Sequence, residues 1–151
     1  MLTDRRRTKS DGTSSHGLNT IRIMSVNCQN LISDNKKIAM QDLIETHNPE
    51  IILGCELHLD PQINSSEVFP SNYGNPYRKD RKLGKGGVFI VIRNDLITTE
   101  IKTNADCEIV WTKLTIWEVN HIGSYYRRPS SKLDMVENVT NFWFYFSICW
   151  G

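Results

Sequence analysis

Several things are missing from this sequence, and each absence narrows the reading. No apolar run approaches the roughly 18 residues of a membrane-spanning helix, so no transmembrane helix is expected. The opening MLTDRRRTKSDGTSSHGLNT has no apolar core of the kind a secretory signal carries. It is rich in Ser, Gly and charge, so residues 1–20 are expected to form a disordered tail. Cysteine is sparse: Cys28, Cys55, Cys107 and Cys149 are widely spaced and form no C-x-x-C, which argues against a zinc site. Reduced thiols in an intracellular chain are the expectation, and the sequons at Asn64 and Asn138 read as chance matches. Neither charge dominates: 18 Lys and Arg face 17 Asp and Glu, for a net charge of +1. That balance excludes a histone-like basic protein and an acidic disordered one, so any nucleic-acid surface must be a local patch. The 151 residues leave room for one ordinary domain.

What is present is mostly strand. Residues 21–27 alternate, with Ile21, Ile23 and Ser25 on one side and Arg22, Met24 and Val26 on the other. Ser33 or Asp34 can cap a helix running to about Thr46, with Ile38, Met40, Leu43 and Ile44 on roughly one face. Asn48-Pro49 stops it, because proline disfavours helical geometry in the residue before it. The apolar run Ile51-Ile52-Leu53-Gly54-Cys55 then reads as a strand buried on both faces. Strand, helix and buried strand make a β-α-β unit with parallel strands. In that topology Asn27 and Glu56 end their strands at one sheet edge, the carboxyl edge where α/β proteins place ligand groups.

Residues 60–77 read as loop. The segment 78–85 is basic, with Arg78, Lys79, Arg81, Lys82 and Lys85 against Asp80, and Arg93 lies near it in sequence. Gly86-Gly87 leads into a buried strand at 88–92, and further strands are predicted at 96–102, 108–117 and 119–126. A helix is predicted from Ser130 to about Trp143. Residues 142–151, FWFYFSICWG, carry an aromatic density atypical of a soluble helix.

Taken in order, these segments resemble the N-terminal half of the endonuclease/exonuclease/phosphatase superfamily. The closest likeness is to the apurinic-endonuclease-like domain of non-LTR retrotransposon polyproteins, which also carry a reverse transcriptase. The resemblance rests on Ser25-Val26-Asn27-Cys28, the run from Pro49 to Leu59, Tyr77-Arg78-Lys79-Asp80-Arg81, Gly86-Gly87-Val88-Phe89-Ile90 and Gly123-Ser124-Tyr125-Tyr126-Arg127-Arg128-Pro129. It implies an α/β fold, an incomplete DNase I-like two-sheet sandwich over residues 21–140, followed by an aromatic tail at 141–151 outside the family pattern. The expected architecture has one mixed sheet with helices outside it. Most strands of the second sheet are expected to be missing, leaving a sheet face uncovered and open to self-association.

The resemblance also implies chemistry: phosphodiester hydrolysis of DNA with Mg²⁺ or Mn²⁺, and no small-molecule cofactor or membrane. Glu56 would be the metal carboxylate, Asn27 would orient the metal site, and Tyr126 would contact the scissile phosphate. Arg78, Lys79, Arg81, Lys82 and Lys85 would hold the DNA backbone. His58 and His121 are read as structural or solvent-exposed. An active nuclease of this kind would work in the nucleus. Departures accompany the matches. Cys55 and Leu57 replace the Gln and Thr that commonly flank the metal carboxylate, and Arg128 interrupts the usual Pro-Pro. The sequence contains neither Gly-Asp-Phe-Asn nor Ser-Asp-His, the family motifs that position and deprotonate the attacking water. A truncated nuclease domain, inactive as it stands, is therefore the expected function. The alternatives are a non-catalytic nucleic-acid-binding remnant that uses the basic segment 78–85, and a phosphoesterase of small substrates.

Overall fold

Parallel pairing between β1 (Ile23–Asn27) and β2 (Ile51–Cys55), bridged by helix α1 (Asp34–His47), opens the fold as the sequence predicts. The computed structural model describes residues 20–29, 31–55, 64–80, 86–102, 108–115, 119–127 and 144–150. Ser33 enters α1 in extended geometry, while Asp34 in the first turn and His47 in the last suit the helix dipole. Asn48 ends it in the left-handed region at φ 41, its N–H donating to the Ile44 carbonyl at 2.8 Å. Met40 and Ile44, one turn apart, are buried, whereas Ile38 and Leu43 are 54% and 41% exposed. The expected four-residue face is thus half right. At about 100° per residue Ile38 stands some 200° from Met40, and one narrow stripe cannot hold both.

Two sheets follow. The first has the order β1-β2-β4-β3, with β3 at Tyr77–Lys79 and β4 at Val88–Ile92. β4 runs antiparallel to both β2 and β3. β3 lies in a segment whose charge suggested only loop. A 3₁₀ turn at Ser65–Glu67 also forms within the predicted loop, capped by the Asn64 side chain on the Ser66 N–H. The second sheet has the order β5-β6-β7-β8, formed by Ile97–Ile101, Glu108–Thr115, Val119–Arg127 and Phe144–Trp150. β5 to β7 form an antiparallel meander, and β8 joins β7 in parallel. The aromatic run thus forms a strand, as its high strand propensity allows. Residues 1–19 of the tail expected at 1–20, and the helix predicted at 130–143, lie outside the described residues.

The period-two alternation of each strand divides the interior into two layers. Ile52, Phe89 and Val91 face α1 and the 64–73 segment, packing with Met40, Ile44, Val68, Phe69 and Tyr73. Ile51, Leu53, Cys55, Val88 and Ile90 face the other way, onto Val110, Leu114, Ile122 and Tyr126 of the second sheet. This corrects the expectation of one mixed sheet with an uncovered face. The alternation in 108–117 is visible in sequence, but it does not say which layer its apolar side covers. Here it covers the first sheet. Among the described residues, three side-chain hydrogen bonds cross between the sheets. Tyr77 Oη and Thr98 Oγ1 lie 2.9 Å apart, Glu108 Oε2 accepts from the Gly87 N–H at 3.2 Å, and Ser124 Oγ donates to the Gly54 carbonyl at 3.2 Å.

Candidate functional site

Strands β1 and β4 flank β2 at its carboxyl edge. Asn27 and Cys55 stand in register as the last residues of β1 and β2, and Val88 stands in register with Cys55 on the other side. A backbone hydrogen bond from the Cys28 N–H to the Cys55 carbonyl, 3.0 Å, carries the pairing one residue further. Asn27 shares the strand face of Ile23, which points between the sheets. It is exposed, and its Oδ1 accepts from the Gln29 N–H at 3.1 Å, with Gln29 at φ 43. That turn fixes the side-chain oxygen at the strand end. Glu56, the residue after Cys55, lies outside the described residues, as do His58, Arg81, Lys82 and Lys85.

Tyr126 enters from the opposite sheet. It is buried in the inter-sheet cluster together with Cys55 and Val88, while Tyr125 is buried on the other face of β7. The residue the resemblance selected is therefore the one that faces the β2 edge. Asn27, Cys55 and Tyr126 are brought to one end of one inter-sheet space.

The basic segment is less uniform than its composition. Arg78 forms a two-pronged ion pair with Asp80 at 2.8 and 3.0 Å. Its charge is largely compensated within the chain. Lys79 is half-buried, in register with Val88, at the same edge as Cys55. Arg93 leaves the patch altogether. It follows β4 at the far end, about five residues or ~17 Å of strand away, and binds Glu50 and Asp95 at 3.1 and 2.7 Å.

Glu50 is the group that sequence reading passed over. It is 3% exposed, yet it accepts from the Arg22 backbone N–H at 2.7 Å and from the Arg22 guanidinium at 2.9 Å, with Arg93 beside it. The hydrogen bonds from Arg22 outweigh burial and hold its carboxyl at about 2. Asp95 is likewise held low by the Arg93 guanidinium, and burial raises the Tyr73 phenol, whose hydroxyl donates to the Pro49 carbonyl at 2.6 Å. This cluster sits at the amino end of β2, opposite the Asn27 edge. It locks strand ends together and is structural. A second buried carboxylate, Glu108, lies at the Asn27 edge, where its Oε2 meets the Gly87 N–H. The one sequence signal for it was an acid opening an otherwise apolar alternation. Among the described residues, no group of three or more His, Cys, Asp and Glu side chains could hold a metal.

Solved structures share this arrangement of two sheets. The endonuclease domain of TRAS1, a telomere-specific non-LTR retrotransposon, aligns with a TM-score of 0.56 and 18% identity over 79% of this chain and 50% of its own. AP endonuclease LMAP from Leishmania major aligns with a TM-score of 0.54 and 18% identity over 93% of this chain and 50% of its own. The chain has the fold of these structures, a partial DNase I-like two-sheet α/β sandwich. The human Nocturnin catalytic domain, solved with a bound sulfate anion, aligns with it at a TM-score of 0.59 and 12% identity, over 86% of this chain and 62% of its own. The chain thus spans 50% to 62% of the length of these three DNase I-like structures. No protein-family model and no curated protein matches it in sequence.

Proposed function

We propose that this chain carries the first half of a metal-dependent DNA endonuclease site of the non-LTR retrotransposon type, and that alone it binds DNA without cutting it. The observation behind the reading is the convergence of Asn27, Cys55 and Tyr126 on one edge between the sheets. Glu56 follows Cys55 in the chain and is the carboxylate that would hold Mg²⁺ or Mn²⁺, with the Asn27 amide oxygen as a further oxygen donor. Hard oxygen donors of this kind suit such a cation. When bound, the cation would polarise the phosphate and stabilise the leaving oxygen. The chain's own contributions are a fixed amide oxygen at Asn27, a phenol at Tyr126 that can hydrogen-bond the phosphate, and cations from the 78–85 segment that neutralise the backbone.

Inactivity follows from what the sequence lacks. Without Gly-Asp-Phe-Asn or Ser-Asp-His, nothing identified in the chain positions or deprotonates the attacking water. A placed general base is worth about 10²–10⁴-fold, and alignment of the nucleophile adds further. The test is relaxation of supercoiled plasmid with Mg²⁺. The chain alone is expected to leave the plasmid supercoiled. A chimera supplying the absent motifs from an intact relative should nick, and Glu56→Ala in that chimera should abolish nicking. Robust nicking by the chain alone would overturn the inactive assignment. Salt-sensitive DNA binding combined with an inert chimera would favour a purely binding remnant.

A further inference from the structure

We infer that Glu108 is a positioning residue that sets Tyr126 at the site edge by tying the second sheet to the Gly86-Gly87 turn of the first. The inference rests on the reading of Tyr126 as a phosphate-contacting group. Glu108 is the first residue of β6 and stands directly across from Tyr126 in the β6–β7 register. Directly opposed residues of an antiparallel pair project from the same face, so Glu108 shares the inter-sheet face of Tyr126. It is 5% exposed, a costly position for a carboxylate unless donors meet it. One donor is the Gly87 N–H, 3.2 Å from Oε2.

The Gly87 position is itself constrained. Gly87 sits at φ +96, and a side chain there would press its Cβ to 3.2 Å from the Lys79 carbonyl oxygen. Glycine lets the backbone approach β3 this closely, and its N–H is thereby presented to Glu108. The next residue, Val88, pairs with Cys55 and packs in the same cluster as Tyr126. Glu108 therefore joins the strand pair that carries Tyr126 to the strand that flanks the end of β2. Among the described residues, Ser124 gives the same strand pair a second tie, to the Gly54 carbonyl beside Cys55, while Thr98 bonds to Tyr77 on β3. A carboxylate kept only for sheet edge solubility would be exposed. This one is buried on the inter-sheet face that it shares with Tyr126.

The test uses the full chain, a short duplex followed by fluorescence anisotropy at low salt, and amide NMR spectra. Glu108→Ala should shift the Gly87 amide resonance and weaken duplex binding by roughly ten-fold, the scale of one charge-assisted hydrogen bond. Glu108→Gln keeps an acceptor for Gly87 and should restore binding to within about two-fold of the parent. Tyr126→Phe should also weaken binding. Glu108→Ala added to Tyr126→Phe should cost little more, because both remove one arrangement. Additive losses, or Glu108→Gln as weak as Glu108→Ala, would overturn the positioning role. A Gly87 resonance unmoved in the folded Glu108→Ala protein would overturn the tie itself. Failure of every form to bind duplex would bring down the nuclease reading and the positioning role together, and the Gly87 resonance would still report separately on the tie.

Discussion

Glu50 shows how a single residue can be decided by its neighbours. In sequence it is one acid after a proline. In the fold it is a buried carboxylate between two guanidinium groups, with its carboxyl held at about 2 against an ordinary 4.5. A lowered carboxyl pKa stabilises the fold above the unfolded value, and that contribution is lost as pH falls through the folded one. The window therefore runs from about pH 4.5 down to about pH 2, and a shift of this size is worth about 3 kcal/mol. Urea unfolding should show Glu50→Gln less stable than the parent at pH 7. The gap should narrow as pH drops through that window; a gap independent of pH would count against the ion-pair account. Gly54 gives a second residue-scale prediction. A Cβ there would stand 2.2 Å from the buried Phe89 ring. Gly54→Ala should lower stability by about 1–3 kcal/mol through overpacking, measurable as a fall in Tm.

Among the elements, α1 is held by few contacts of its own. Met40 and Ile44 are its buried residues, and its polar outer face reaches the 3₁₀ turn through Lys37 to Glu67 at 3.0 Å and Gln41 to the Glu67 carbonyl at 3.0 Å. Met40→Ala or Ile44→Ala should therefore cost about 2–5 kcal/mol in chemical denaturation. Ile38→Ala on the exposed side should change stability by less than about 0.5 kcal/mol. Equal effects at both positions would contradict the observed face. β3 makes a similar point about charge. Arg78 and Asp80 compensate each other, so Arg78→Ala should leave DNA binding nearly unchanged, read in the same anisotropy titration.

For the whole molecule, a net charge of +1 means that the DNA binding proposed above has to come from a patch. Should about four phosphates be neutralised, raising salt from about 50 to 200 mM would reduce affinity by roughly two orders of magnitude. A flat salt dependence would remove the basic segment from the interface. The fold was partly legible beforehand. Alternation in residues 21–27 placed Ile21 and Ile23 opposite Met24 and Val26, and each pair joins a different core layer. The β-α-β order gave the parallel β1–β2 pair and brought Asn27 to the end of β2. These are local signals, written in period two, in the proline after Asn48 and in the apolar run at Ile51–Cys55. The choice of Tyr126 over Tyr125 came from the resemblance, because both sit in the same apolar stretch and either parity satisfies the pattern. Three further matters were settled only in three dimensions: the second sheet closing over the first, the departure of Arg93 to Glu50, and Glu108 meeting Gly87. Each depends on contacts between residues far apart in the chain. Such contacts follow from which faces pack together, and periodicity reveals that a strand has two faces without saying what either will meet.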